Sequence, residues 1–439
     1  YKDIWSPAPA PRKKNLVPAY GYPVSDSWYT MWDTSNLNIP QMFVGRIPAN
    51  NNDEVLTYLG KHSIYFNRRF DDWNKRYTFY SGGDPTKPSE LAQIKAANDS
   101  LHNNFIKPSP IGGKGIHFYK TIIPPTNFGA YTLQEIQNAV DSSGLFISYI
   151  GHSGTRTWDN GITEVEDIKN TFPDRYPLIS DFGCSTGKFA EPDVDAFGEL
   201  SVAQSSNGQA IAYLGNSTLG YLSTSLRYPG LFYKKILVDS VTTISKAHIL
   251  AKLEQFSLYG FSDVNRVFNF SNMLFNDPII RFAVPEKPNF IINQNSVLLT
   301  PNQVSDLEDS VLVTLSIFNW GNVVNDSIHI VSTNTYFDSL IFTKNLIIPC
   351  PLYSDKISIY VHTMRLVGQH SLSVVLDSDN VIDEIYEDDN SVIYNFQVYS
   401  SSIRPVETEN YYTTFKDTLV FLNPTFKSEG GGEEFLLSV

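Results

Sequence analysis

The sequence predicts an α/β domain with a mostly parallel sheet, followed by an all-β sandwich of the immunoglobulin type. From about Trp28 to Val284 short apolar strands alternate with amphipathic helices, the pattern of a sheet covered by helices on its faces. At "VPEKPNF" (Val284 to Phe290) two prolines and opposed charges mark a linker. Beyond it the helical period vanishes, and strands of period two recur between Asn, Gly, Asp and Pro. At 439 residues the chain exceeds what one core usually supports, in keeping with this division. The expected domains are 1–284 (α/β), 285–400 (sandwich) and 401–439, the truncated start of a further β-segment.

Within the first domain "QMFVGRI", "RYTFY", "IHFY", "LFISYI", "PLISDF", "QAIAYLG" and "IIRFAV" read as strands. Helices are expected at "DEVLTYLGKHSIYF", "SELAQIKAANDSL", "TLQEIQNAVDSSG" and "TTISKAHILAKLEQF". The third is the best specified: Thr132 and Glu135 form a capping-box pair, Leu133, Ile136 and Val140 share an apolar face, and Gly144 ends it. In the sandwich "SVLVTLSIFN", "DSIHIVS", "DKISIYVH", "HSLSVVL" and "VIYNFQV" alternate, with Ile357, Ile359 and Val361 on one face.

Composition excludes several functions. With 46 acidic against 33 basic residues the net charge is −13, and Lys and Arg cluster only in "PRKK", so a phosphate-neutralising face and a nucleic-acid partner are not expected. Hydrophobic residues make up 42%, ample for globular cores, yet no apolar run reaches the roughly 18 to 20 residues of a transmembrane helix. The two cysteines, Cys184 and Cys350, fall in different expected domains, which argues against a disulfide framework. Tyr1 opens on no signal-peptide pattern, and the chain reads as a piece of a longer protein.

Chemistry is expected where two strands end. "LFISYIGHSG" delivers His152 and "PLISDFGCSTG" delivers Cys184, each just beyond a strand and beside glycine. In an open parallel sheet that edge is where ligands bind. If the two strands are neighbours, a thiol nucleophile and an imidazole proton carrier share one crevice, with the amides of Ser153 and Cys184 as candidate oxyanion donors. The plainer alternatives are a buried cysteine and a solvated turn histidine. A metal site lacks further His or Cys at ligand spacing, and "CSTGK" lacks the glycine spacing of a phosphate loop.

These residues resemble the gingipain family of caspase-like cysteine peptidases. Its Gly-His-Gly turn corresponds to "YIGHSG" and its nucleophile segment to "DFGCSTGKF"; "SDSWY", "VGRIP", "LTYLGKHSIYFNR", "NGQAIAYLGNST" and "NDPII" match in order. The resemblance spans about residues 20 to 284 and implies a secreted or cell-surface cysteine endopeptidase with Cys184 as nucleophile and His152 as acid/base. It implies a protein or peptide substrate and no cofactor for catalysis. It also implies upstream strands and a pro-region before Tyr1. Relatives leave through the type IX secretion system of Bacteroidota, and a sortase branch, PorU, transfers cargo to lipopolysaccharide; type IX components and lipopolysaccharide are thus the partners implied. "IFNWGN" and "DSDNVIDEIYEDDN" resemble adhesion-type sandwich domains. Their acidic run, Asp377 to Asp389, raises a structural Ca2+, with a solvated turn as the simpler reading; Asp193 and Asp195 suggest one more weakly.

Departures from the family matter. An acidic residue expected near "FYSGGDP" aligns with Ser81, the specificity-pocket carboxylate aligns with Ala92, and Tyr221 falls on a pocket-lining aromatic. Ser153 replaces the second glycine of the turn. Preference for Arg or Lys is therefore not expected, and a catalytically silent scaffold or adhesion protein is the alternative. A small-molecule hydrolase is a more distant one.

Overall fold

The structure is a computed structural model describing residues 17–33, 40–122, 131–141, 144–159, 163–165, 174–191, 194–203 and 210–401. The chain divides into two compact units between Pro285 and Glu286. Apart from Ser401, the expected segment 401–439 lies outside the described residues, as does Asp193.

The first unit is built on a six-stranded sheet. Its strands are β1 (Arg76–Ser81), β2 (Lys114–Tyr119), β3 (Phe146–Ile150), β6 (Leu178–Asp181), β7 (Ala212–Asn216) and β8 (Asn272–Phe275). Between β3 and β6 lies a small hairpin of β4 (Thr157–Trp158) and β5 (Thr163–Glu164). The sheet order is β2-β1-β3-β6-β7-β8, with all pairs parallel except β7 with β8. Alternation sends Tyr77, Phe79, Phe146, Leu178 and Leu214 into one core and Tyr80, Ile147, Tyr149, Ile179 and Tyr213 into the other. Burial on both faces explains why these strands read as continuous apolar runs.

The helices Pro88–Leu101, Leu222–Leu237 and Ile244–Tyr259 supply Ile94, Tyr228, Phe232 and Ala247 to the first core. The helices Asn52–Asn67 and Leu133–Asp141 supply Tyr58 and Ile136 to the second. The expected capping box forms: the Thr132 amide donates to Glu135 Oε2 and the Glu135 amide to Thr132 Oγ1.

Two expected strands are absent. Gln41 to Ile47 and Ile279 to Val284 run as irregular chain, the first joined to β8 by the Arg46 amide donating to Leu274 O at 2.9 Å. The antiparallel edge is instead the Asn272–Phe275 strand, which sequence reading passed over because it follows directly on the helix Asp263–Ser271. The helix Leu222–Leu237 also escaped, since Pro229 interrupts its pattern.

The second unit is a sandwich. One sheet orders β10 (Val297–Thr300), β12 (Ser310–Asn319) and β15 (Ser354–His362), with β9 (Phe290–Ile291) on β12. The other orders β11 (Val304–Ser305), β17 (Ser391–Tyr399), β16 (Gly368–Leu376), β13 (Ser327–Tyr336) and β14 (Ser339–Pro349). Val311, Val313, Leu315 and Ile317, with Ile359 and Val361 beside them in the same sheet, alternate inward against Leu372 and Val374 of the other. Its signature residues hold turns: Asn319 Oδ1 accepts from the amides of Gly321 and Asn289, and Glu384 from Phe290 N. Asp377 accepts from Ile382 N, and Asp379 pairs with His329. Among the described residues no group of three His, Cys, Asp or Glu side chains is arranged to hold a metal ion.

Candidate active site

β3 and β6 are direct neighbours, pairing Phe146 with Leu178 through Tyr149 with Asp181. Parallel strands end on the same edge, so His152 and Cys184 emerge side by side and line one cleft with Glu90, Ile94, Phe182 and Leu222. Ser153 Oγ donates to Cys184 O at 2.7 Å, tying the two loops together. The serine that replaces the family's glycine is therefore a strut between them.

The glycines beside these residues answer to close approach. Neither Gly151 nor Gly183 has a positive φ. A Cβ on Gly151 would lie 2.6 Å from Tyr149 Oη, and one on Gly183 2.2 Å from Ser153 Oγ. The left-handed residue is Ser185, at φ 60°, immediately after the thiol.

His152 is held from both ends. Its backbone carbonyl accepts from Asp159 N at 2.9 Å and from the Tyr149 hydroxyl. Its ring Nε2 lies 2.9 Å from Glu90 Oε1. Glu90 stands in the first turn of the helix Pro88–Leu101, and the same oxygen accepts from Asp84 N at 3.0 Å. Sequence reading missed Glu90; its only signal was an acidic residue opening a helix in "KPSELAQ".

A buried ion pair fixes the surrounding loops. Lys120 Nζ sits 2.9 Å from Asp159 Oδ1 and donates to Gly83 O at 3.1 Å, while Asp159 Oδ2 accepts from Gly83 N at 2.8 Å. The loops that follow β1, β2 and β4 are thereby locked together.

Cys184 is half-buried, and the Gly220 amide donates to its Sγ at 3.4 Å. Among the described residues no acceptor takes the amide of Ser153 or of Cys184. Cys350 is also half-buried, but it accepts from Asn319 Nδ2 at 3.4 Å within the sandwich.

Three expected pocket residues lie elsewhere. Ala92 is exposed on its helix, two positions beyond Glu90. Tyr221 caps the helix Leu222–Leu237, and it is the next residue, Leu222, that enters the cleft. Ser81 is 1% exposed inside β1, where Oγ bonds His117 Nε2 at 2.8 Å and accepts from Asn98 Nδ2 at 2.9 Å. His117 Nδ1 in turn meets Asp99 Oδ1 at 2.8 Å. This Ser-His-Asp arrangement has the order of a hydrolase triad, but burial withholds Ser81 from substrate.

The sequence profile of peptidase family C25 matches residues 2–283. Among solved structures, the Arg-specific cysteine proteinase gingipain R is similar at 16% identity and a TM-score of 0.50, over 87% of this chain and 81% of that one. The complex of Porphyromonas gingivalis RgpB pro- and mature domains is similar at 16% identity and a TM-score of 0.50, over 87% and 83%. At that identity the likeness is one of fold. Comparison with curated proteins gave no match. The profile match covers the α/β unit almost end to end, and the chain belongs to peptidase family C25, the gingipain family, as a cysteine-type peptidase.

Proposed function

We propose that the protein is an endopeptidase in which Cys184 is the nucleophile, His152 the proton carrier and Glu90 the carboxylate that orients and supports the imidazole. The observation that carries this reading is the 2.9 Å contact between His152 Nε2 and Glu90 Oε1 in the cleft that Cys184 also lines. With Nε2 engaged, Nδ1 is the nitrogen left to serve substrate. Cys184 gives its thiol proton to His152 as its sulfur adds to the scissile carbonyl, and the oxyanion is received by the amides of Cys184 and Ser153. As the C–N bond breaks, His152 protonates the leaving amine. Water, deprotonated by His152, then cleaves the thioester and restores the thiol. These steps use only side chains and backbone amides, so no cofactor is invoked. A structural Ca2+ in the sandwich remains a separate proposal, checked by melting with and without chelator.

The silent-scaffold alternative drew on Ser81 and Ala92. Glu90 supports the enzymatic reading instead, because it brings a carboxylate to the imidazole from a neighbouring position. An amine in place of water would complete a transpeptidation, and the family resemblance supports a secreted or cell-surface setting served by type IX secretion. Among the described residues no helix is long and apolar enough to cross a membrane.

The cleft walls also support a neutral side chain at the scissile position. Ile94, Ile150, Phe182 and Leu222 are apolar. Glu90 Oε1 is already engaged, and the Lys87 ammonium lies 4.0 Å from Oε2.

Iodoacetamide labelling tests the nucleophile. Cys184 should react many times faster than Cys350, because its thiol faces the cleft and receives an amide hydrogen bond. Equal, slow labelling of both would defeat the assignment.

A further inference from the structure

Two buried side chains grip the residue before the nucleophile. On one side, Asp181 Oδ1 accepts from Gly183 N at 2.6 Å. On the other, Asn216 Nδ2 donates to Gly183 O at 2.6 Å. Both side chains belong to residues with 0% exposure at the ends of β6 and β7.

Each is itself fixed. Asp181 Oδ2 accepts from Trp158 Nε1 at 2.6 Å and from Tyr213 Oη at 2.7 Å. Asn216 Oδ1 accepts from Asn272 Nδ2 at 3.0 Å, which leaves Nδ2 for Gly183. The Asn272 carbonyl accepts in turn from Lys252 Nζ at 2.6 Å, with His248 Nε2 at 3.1 Å. A chain of hydrogen bonds thus runs from the helix Ile244–Tyr259 through β8 and β7 to the nucleophile loop.

What this chain controls follows from peptide geometry. The Gly183–Cys184 peptide is planar and trans, so its C=O and N–H point in opposite directions. Holding Gly183 O on Asn216 therefore sets the direction of the Cys184 N–H, which is the proposed oxyanion donor and has no acceptor among the described residues. We propose that Asn216, with Asp181 bracing the same residue, is a positioning residue for turnover that aims the Cys184 amide at the oxyanion. This rests on the reading of Cys184 as nucleophile.

The two roles of Cys184 separate by chemistry. Alkylation by iodoacetamide displaces iodide at a saturated carbon and builds no oxyanion, so it reads the thiolate alone. Peptide cleavage needs both thiolate and oxyanion donor. Asn216→Ala should therefore lower kcat about 10- to 100-fold while KM and the alkylation rate of Cys184 stay near wild type. Asn272→Ala, which removes only the outer bond of the relay, should lower kcat less and with the same split. It decides the matter should Asn216→Ala not fold. Unchanged turnover in the folded variant would overturn the proposal. So would kcat, KM and alkylation changing together, the mark of a deformed cleft. Cys184→Ala, assayed alongside, tests the nucleophile by itself: retained cleavage there would sink the underlying reading, whereas a dead Cys184→Ala beside a fully active Asn216→Ala would sink only the clamp.

Discussion

His152 Nε2 and Glu90 Oε1 stand 2.9 Å apart although 62 positions separate them in the chain. If that carboxylate orients the imidazole and balances its charge, Glu90→Ala should lower kcat about 10- to 1000-fold with a smaller change in KM. Glu90→Gln should fall between, because the amide can still hold the ring but carries no charge. A Glu90→Ala enzyme with full turnover would remove this residue from the mechanism.

Cys184→Ala should abolish cleavage of a protein substrate and cost at most about 1 to 2 kcal/mol of stability, because the thiol is half-buried and small. His152→Ala should lose nearly all turnover, with slow acylation surviving on the amide donors. Cys350→Ala, in the sandwich, should leave activity intact. Melting temperatures of the three variants separate loss of chemistry from loss of fold.

Cleavage-site preference provides an independent check. A peptide library should return neutral, mainly apolar residues at the scissile position, because the walls are apolar and Glu90 is already engaged. A profile dominated by Arg or Lys would show that Glu90 Oε2 serves substrate.

Burial lifts the Asp181 carboxyl from 3.8 to about 6, against the opposing pull of hydrogen bonds from Tyr213 and the Gly183 amide. Between those values the folded protein binds this proton more tightly than the unfolded chain does. Its contribution is therefore full below about pH 4 and is lost as pH rises through about 6, a swing of about 3 kcal/mol. Asp181→Asn removes the titration. Its melting temperature relative to wild type should accordingly rise between about pH 4 and pH 7. A difference that stays flat would place the native carboxyl in the ordinary range, and one that falls would place it below that range.

Lys61 is buried and donates to the carbonyls of Ser201, Val202 and Ala210. Lys61→Met keeps the packing volume but strands three acceptors, and should cost about 2 to 4 kcal/mol by urea denaturation. A cost under about 1 kcal/mol would mean that water takes its place.

Much of the fold was legible because its signals are local. The runs "LFISYI" and "PLISDF" are continuous and apolar since both faces of β3 and β6 are covered, and the turns that follow them placed His152 and Cys184 at strand ends. The Thr132–Glu135 capping box and the alternation of Ser310–Asn319 were equally plain, because each depends on neighbours a few residues apart. Only tertiary structure decided that β3 and β6 are adjacent, and that the carboxylate reaching His152 comes from Glu90 rather than from position 81 or 92. Sequence order does not encode sheet order, and a helix start can be swung over a strand end from any distance along the chain. For the same reason Asp181 and Asn216 read only as polar residues in apolar strands. Their grip on Gly183 exists because two neighbouring parallel strands end together over one peptide.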